Sequence, residues 1–458
     1  MSESIIEADY LVIGAGAMGM AFADTLLAET DATVAIVDRH HQPGGHWNLA
    51  YPFVRLHQPS AFYGVNSRPL GNNTIDATGW NKGLYELATN GEICAYFDKV
   101  MQQQFLPSGR VQYFPMCNYV GEQRFISRVS NRKFSVTANK TVDATYMNVH
   151  VPAMGSLGYC VDDEAMCVPL NALPQMAGPE WETYVVIGAG KTGMDACLFL
   201  LRSGIDPDQI TWIMPRDAWI QDRANVQLGD GFQHTVADSL VDVFRAIAAA
   251  DSVDDLFLRL NACGQLIRID ERQRPTMWRC ATVTQLELEH LRRIKNVIRK
   301  GRVQKVSGEE IVLENGSITT NSQTLHVDCS ADGLARRNSV PVFDDQRIRL
   351  QPVRTCQQVF SAAFIAHVEA QYSDEKMKNE LCTPVPHPDS TRDYLTGILI
   401  DIENAGRWAA EPKLQTWLES ARLDWLNKSV PSADMAEDMT KLIPRVVEKL
   451  ESLIASFS

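Results

Sequence analysis

At 458 residues with 45% hydrophobic content, the chain holds enough material for two or three packed domains. Its 43 basic residues against 56 acidic ones leave a net charge of -13, which repels nucleic acid and anionic membrane surfaces. No run of 18 or more apolar residues occurs, and strand material begins by Tyr10 without a charged and apolar leader. Neither a spanning helix nor a signal peptide is therefore expected, and the cytoplasm is the default location.

The first predicted unit is a short strand, Leu11 to Ile13, running into a glycine turn and a helix from about Ala17 to Leu27; Tyr10 to Gly19 reads YLVIGAGAMG. In a G-x-G-x-x-G turn the first glycine (Gly14) permits the tight bend, the second (Gly16) lets backbone approach a pyrophosphate, and the third (Gly19) allows close helix packing. Ala17 and Met18 complete the turn, and the helix aims its first N–H groups at phosphate. The next strand, Thr33 to Val37, ends at Asp38, 24 residues after Gly14, where a carboxylate can accept from a ribose hydroxyl. Asp38 and its neighbour Arg39 are thus candidate dinucleotide contacts, and the pattern suits FAD or NAD.

Gly44-Gly45-His46-Trp47 comes next, followed by Tyr51-Pro52-Phe53-Val54-Arg55-Leu56-His57. Arg55 can stabilise negative charge, and His57 titrates near neutral pH and can relay a proton. The alternative for both is hydrogen bonding to backbone carbonyls that fixes the loop. Gly64 to Gly83 reads as a long loop, Gly91 to Gln104 as a helix, and Arg124 to Ala138 and Thr141 to Val151 as strands. Val151 to Gly155 marks the exit from this unit, and Pro169, Pro174 and Pro179 suit a linker.

The glycine phrase then returns. Tyr184 to Gly193 reads YVVIGAGKTG, 174 residues after the first copy, and ten positions between Tyr10 and Leu27 are identical at that offset. Gly188, Gly190 and Gly193 take the three glycine roles, with Lys191 and Thr192 between them and a helix to about Arg202. Two fingerprints in one chain suggest two different dinucleotides held for electron transfer between them. Here the following strand, Gln209 to Met214, ends in Pro215-Arg216 with no acid at its tip, so Arg216 is a candidate for the 2′-phosphate of NADPH. The adjacent Asp217 leaves open a simple pairing of Arg216 with it.

From Arg216 to about Lys300 the period is mostly helical, as in Leu240, Val243, Phe244 and Ile247, which predicts an inserted helical cap. Its basic cluster, Arg292 to Arg302, reads as a solvated face. Val303 to Val306, Glu310 to Leu313 and Ser317 to Thr320 form a meander around Asn315-Gly316, and Thr324 to Asp328 is a parallel strand leading to Cys329 and Asp332. Asp332 is a candidate cofactor contact. Phe360 to Ala370 is strongly apolar, and Leu442, Ile443, Val446, Val447, Leu450, Leu453 and Ile454 trace one helix face, a core stripe or a homodimer surface. None of the ten cysteines forms a C-x-x-C pair, so no redox-active dithiol is expected and oxygen or a small organic acceptor is favoured.

The first 60 residues, the second fingerprint and their spacing resemble the flavin-containing and Baeyer–Villiger monooxygenases, class B flavin-dependent enzymes with a GG-x-W segment after the acidic residue and, in the latter, a YP-x-x-R-x-D stretch. The resemblance implies that Gly45, His46 and Trp47 lie against FAD and that His57, where those families usually have Asp or Asn, lies near the flavin ring. The F-x-G-x-x-x-H-x-x-x-[WY] signature of those families is absent between Thr145 and Tyr184.

The expected architecture is α/β, with two Rossmann-like dinucleotide-binding domains, a helical insertion and a helical C-terminal tail. Residues 1–179 and 321–400 form the FAD domain, 180–320 the NAD(P) domain with its insertion at about 217–300, and 401–458 the tail. The expected activity is NADPH reduction of FAD, capture of O2 as a C4a-peroxyflavin and oxygen transfer to nitrogen, sulfur or a carbonyl of a small molecule. The alternatives are an NAD(P)H-dependent reductase or dehydrogenase, and a non-catalytic redox-sensing flavoprotein.

Overall fold

The computed structural model describes residues 4–149, 151, 155, 157–227, 232–331, 333–334, 337–425 and 433–457. The chain opens with β1 (Ser4–Ile13), α1 (Ala17–Glu29) and β2 (Val34–Val37). There follow α2 (Asn90–Val100), β3 (Val111–Phe114), β4 (Cys117–Gly121), β5 (Arg124–Ser127) and β6 (Lys133–Asp143). The second half begins with β7 (Cys160–Val161), β8 (Cys167–Pro169), α3 (Leu173–Met176), β9 (Thr183–Ile187), α4 (Lys191–Arg202) and β10 (Ile210–Ile213). Next come β11 (Ala218–Asp222), α5 (Gln233–Ala249), α6 (Val253–Ala262), β12 (Leu266–Ile267), β13 (Met277–Val283), α7 (Gln285–Leu291) and β14 (Asn296–Ile298). The chain continues through β15 (Val303–Val306), β16 (Glu310–Leu313), β17 (Gly316–Thr319), β18 (Thr324–Asp328), β19 (Phe343–Asp344) and β20 (Arg347–Arg349). It closes with α8 (Gln358–Gln371), α9 (Glu375–Leu381), α10 (Thr391–Ala409), α11 (Pro412–Ser420) and α12 (Ala433–Ala455).

Two sheets, the first mixed and the second parallel, carry the glycine turns. The first runs β19–β20–β6–β1–β2–β3, with β4 and β5 appended to β6; the second runs β14–β10–β9–β18–β8. In each, the strand before the glycine turn is central and parallel to both neighbours: β1 to β2 and β6, β9 to β10 and β18. The strand order reverses there, so each turn opens into the crevice at a topological switch point. α1 is buried from Met18 to Leu27 because α8, itself buried from Val359 to Glu369, packs on it. Helices covered on both sides tolerate apolar residues all round, which explains the lack of a polar stripe in either. Glu29 ties the far end of this pair, accepting from Trp417 Nε1 at 2.8 Å and lying 2.7 Å from His367 Nδ1.

The sequence-based α/β class, the two glycine units and the tail helices are present. Other expectations are corrected. The strand expected over Thr141 to Val151 ends at Asp143, whose Oδ1 accepts from Thr145 N at 2.9 Å and Thr145 Oγ1 at 2.7 Å, a side-chain turn that bends the chain away. The insertion is not purely helical: β12, β11 and β13 form a three-stranded sheet beneath α5 and α6. Strands β8 and β18, placed by the boundaries at 179 and 321 in the first domain, belong to the second sheet, and the chain returns to the first only at β19 and β20, the latter paired with β6. The apolar stripe of α12 packs on α5 and α10, with Val446, Leu450 and Leu453 buried in the molecule's own core.

Two of the ten cysteines are joined. Cys280 of β13 and Cys356, which precedes α8, form a disulfide with Cα atoms 6.4 Å apart. No local spacing could announce a bridge that closes 76 residues of chain. Constraining a loop of that length in the unfolded state stabilises the fold by about 2–4 kcal/mol. Peptide mapping of unreduced protein should therefore recover one cross-linked Cys280–Cys356 pair, and Cys280→Ser should lower denaturant stability by that amount; free thiols at both positions would contradict the bridge.

Candidate functional site

Both glycine turns obey one steric rule. Gly14 and Gly188 hold φ of 101° and 130°, conformations that L side chains rarely adopt. A Cβ on Gly19 would collide with the Gly14 carbonyl oxygen, and one on Gly193 with that of Gly188, so each helix sits hard against its own turn. The parallel extends to strands that show no sequence repeat. Ala144 N donates to Ile13 O at 3.1 Å and Cys329 N to Ile187 O at 2.8 Å, so the chain leaving β6 and the chain leaving β18 cross beside the first glycine in the same way. Gly16 and Gly190 are the N-caps, and no side chain caps either helix among the described residues, leaving N–H groups for an anion.

The two sites then differ. Over the first turn, Gly44 N donates to Ala15 O at 2.8 Å, and Gly45 (φ 57°) lies so close that a Cβ on it would sit 2.9 Å from Gly16 Cα. Two glycines in succession are needed there because backbone packs on backbone. Over Gly190 a Cβ would meet nothing within 4 Å among the described residues. Asp38 closes β2 as its spacing predicts: Oδ2 accepts from Ala15 N at 2.6 Å and Oδ1 from His40 N at 2.7 Å. Burial raises its carboxyl above the ordinary value although both bonds oppose this. Each oxygen keeps a lone pair for a ribose hydroxyl. Arg39 beside it is exposed, its carbonyl held by Arg128 at 2.8 Å.

Ala17 and Met18 begin α1, and Met18 is buried in the core. Trp47 is buried too, donating from Nε1 to Tyr63 Oη at 2.8 Å, while His46 is half-buried with its ring centroid 5.1 Å from that of Trp47. Burial, with the His40 charge adding, brings His46 down to about 4.

Tyr51, unmarked by the sequence reading, bridges the two units: its hydroxyl donates to Asp195 Oδ2 of α4 at 2.6 Å, and Lys191 pairs with Asp195 Oδ1. Burial first, then the Asp195 charge, push the Tyr51 phenol well up, so it stays a donor. A neutral-to-charged hydrogen bond of this kind contributes about 1.5–3 kcal/mol. His57 lies half-buried close by, and burial together with the charges of Lys191 and Arg223 drives its imidazole well below its ordinary value. At neutral pH it is uncharged. Its carbonyl accepts from Arg223 Nε at 3.0 Å and Thr282 Oγ1 at 2.5 Å.

Arg223 is the hinge of this arrangement. Fully buried, it also donates to Asn81 Oδ1 at 3.1 Å and Thr282 O at 3.2 Å, and pairs with Glu287 at 3.0 Å. Thr284 Oγ1 donates to Trp80 O at 2.7 Å. The insertion thus grips both the His57 segment and the glycine-rich loop, a role carried by residues 166 positions apart in the chain for which no local motif exists.

Arg55 is placed apart: exposed, in an isolated antiparallel bridge to Thr89. Thr192 and Lys191 open α4 as expected. Arg216 does not pair with Asp217, which Arg299 takes through bonds of 2.7 and 3.0 Å; its partner is Asp389, at 3.1 Å. Asp332 lies outside the described residues, and nearby Ser330 donates to Asp328 Oδ1 at 2.6 Å.

Residues 12–52 match the family model of the NAD(P)-binding Rossmann-like domain, covering the first turn, Asp38 and the Gly44-Gly45 crossing. "Uncharacterized protein Rv2000" of Mycobacterium tuberculosis is 54% identical over 449 residues, which is 98% of this chain and 82% of that protein. The chain belongs to the family of that mycobacterial protein. Among solved structures, cyclohexanone monooxygenase from Rhodococcus sp. Phi1 bound to NADP+ aligns over 98% of each chain at 13% identity and a TM-score of 0.47. A flavin-containing monooxygenase from Stenotrophomonas maltophilia aligns over 80% of this chain and 98% of its own, at 14% identity and a TM-score of 0.44. Among the described residues no helix is long and apolar enough to cross a membrane.

A testable consequence concerns His46. Its folded value near 4 lies below the ordinary 6.5, so the unfolded chain takes up a proton first as pH falls. Stability is full above pH 6.5 and is lost progressively down to about 4, an effect on the order of 2–3 kcal/mol. Chemical denaturation at pH 7 and 4.5 should show a smaller acid loss in His46→Asn than in the parent; equal losses would contradict the assignment.

Proposed function

We propose that the chain is an FAD-dependent, NADPH-consuming monooxygenase that transfers one oxygen atom to nitrogen, sulfur or a carbonyl of a small organic molecule. The observation that supports this reading most is the joining of two glycine turns of the same design, through Tyr51 and Asp195, with neutral His57 beside the junction.

The residues fit the two nucleotides. For FAD, the bare N-terminus of α1, the carboxylate of Asp38 and the Gly44-Gly45 backbone crossing form the cradle, with His46 and Trp47 packed behind it. For NADPH, the open N-terminus of α4 takes the pyrophosphate, Lys191 adds positive charge, and Arg216 stands past the tip of β10. FAD supplies hydride acceptance from NADPH and reaction with O2, neither of which amino-acid side chains perform. The balance is one NADPH, one proton and one O2 consumed per oxygenated product and one water.

What the chain adds is placement and proton control. Lys191, held by Asp195, keeps positive charge next to His57, which favours the uncharged imidazole. A neutral imidazole donates one hydrogen bond to an oxygen atom without adding charge. Tyr51 anchors the loop that carries His57 onto α4, so both units are held in register. Cys280 of the Cys280–Cys356 bridge follows Arg279, which shares the partner of Arg216.

Anaerobic mixing of the FAD-loaded protein with NADPH should bleach the visible flavin band, with NADH slower at equal concentration. Admitting 18O2 with amine, sulfide and ketone substrates should then give a product carrying one labelled oxygen. Failure to bleach with either nicotinamide would reject the proposal, and bleaching followed only by hydrogen peroxide release across the substrate panel would favour a plain reductase.

A further inference from the structure

The tip of β10 is where a unit of this design meets the 2′ position of the adenosine ribose. Arg216, three residues past Ile213, reaches Asp389 Oδ2 with both terminal nitrogens, at 3.1 and 3.2 Å, and its Nη2 also donates to the Asp389 carbonyl at 3.0 Å. Arg279, from β13, arrives at the other carboxylate oxygen with Nε at 2.6 Å and Nη2 at 2.5 Å. Two guanidinium groups from different elements thus converge on one carboxylate.

Further features point the same way. Arg216 Nε is buried with no hydrogen-bond partner among the described residues, so the site offers a donor that the carboxylate does not satisfy. A phosphate brings three acceptor oxygens and up to two charges where a carboxylate brings two oxygens and one charge. The Asp389 backbone is anchored, its N–H donating to Asp393 at 2.9 Å and its carbonyl accepting from Trp278 N at 3.3 Å, so the phosphate has only the side-chain carboxylate to displace. The neighbouring acid, Asp217, is committed to Arg299. Burial alone would raise the Asp389 carboxyl, but Arg279 and Arg216 outweigh it and hold it below the ordinary value, keeping it an anion.

We propose that Arg216 and Arg279 form a clamp for the 2′-phosphate of the second nucleotide, and that Asp389 is an internal competitor occupying that clamp until the phosphate displaces it. The inference rests on the NADPH reading of the second site and adds Arg279 and Asp389 as residues that set the choice between phosphorylated and unphosphorylated ribose. The carboxylate lowers the affinity for every 2′-phosphorylated ligand by the work of breaking its own ion pairs, and it has no such effect on ligands that leave the clamp untouched.

Calorimetric titration of the full chain with 2′,5′-ADP and with 5′-ADP separates the parts of this claim without relying on turnover. Asp389→Asn and Asp389→Ala, each checked by thermal melting, should tighten 2′,5′-ADP about tenfold and leave 5′-ADP unchanged, whereas Arg279→Gln should weaken 2′,5′-ADP about tenfold and leave 5′-ADP unchanged. Weaker 5′-ADP binding in both Asp389 variants would overturn the competitor role and assign the carboxylate to ribose hydroxyls. Unchanged 2′,5′-ADP affinity in folded Asp389 variants would overturn it as well. Equal affinity of the parent and of Arg216→Gln for the two ligands is a separate failure, that of the NADPH reading itself. If both Asp389 variants fail to fold, an Arg279→Gln affinity equal to the parent's overturns the clamp.

Discussion

A helix can begin at the end of its own strand only if nothing projects between them, and everything at the candidate site follows from that contact. At Gly19 and at Gly193 a single methyl group would drive into the carbonyl of Gly14 or Gly188. With hydrogen there instead, each helix starts against the tip of the central strand, and its first N–H groups point into the crevice where the strand order reverses. The crossing chains after β6 and β18 then fall into equivalent positions, because the same turn leaves the same carbonyls, Ile13 and Ile187, to be bonded.

The two copies of one glycine turn differ in what is laid over them. The Gly44-Gly45 crossing lies against Gly16, while among the described residues nothing comes within 4 Å of a Cβ placed on Gly190. The insertion matters for the same reason. Arg223 is buried with its charge matched by Glu287 and its remaining donors on Asn81, Thr282 and the His57 carbonyl. Removing one partner of such a pair leaves an uncompensated buried charge, a loss of about 3–5 kcal/mol, so the insertion and the loops beneath it act as one body. His57 therefore has a set position beside Lys191 despite sitting on a loop.

Much of the scaffold was legible in the residues because its determinants are local. The glycine spacings, the acid 24 positions after Gly14, and the meander from Val303 to Thr319 with its Asn315-Gly316 turn all rest on neighbours in the chain. What escaped the sequence rests on distant pairings. β11 and β13 are short, parallel and joined through two helices, so the period of α5 and α6 dominates the region and hides the sheet. Cys280 and Cys356, Arg216 and Asp389, and Tyr51 and Asp195 are 76, 173 and 144 positions apart, with no spacing rule to link them. Thr141 to Val151 failed for another reason: β-branched content predicts a strand, but the chain has to turn at Ala144 to pass Gly14.

The proposed chemistry requires one chain to hold two different dinucleotides at once, each on its own glycine turn. Native mass spectrometry of the protein with FAD and NADP+ together tests it directly. The expected result is a ternary complex of one FAD and one NADP+ per chain, with Gly19→Ala losing FAD alone and Gly193→Ala losing NADP+ alone. A single bound nucleotide, mutual exclusion of the two, or loss of both ligands from each folded variant would contradict it.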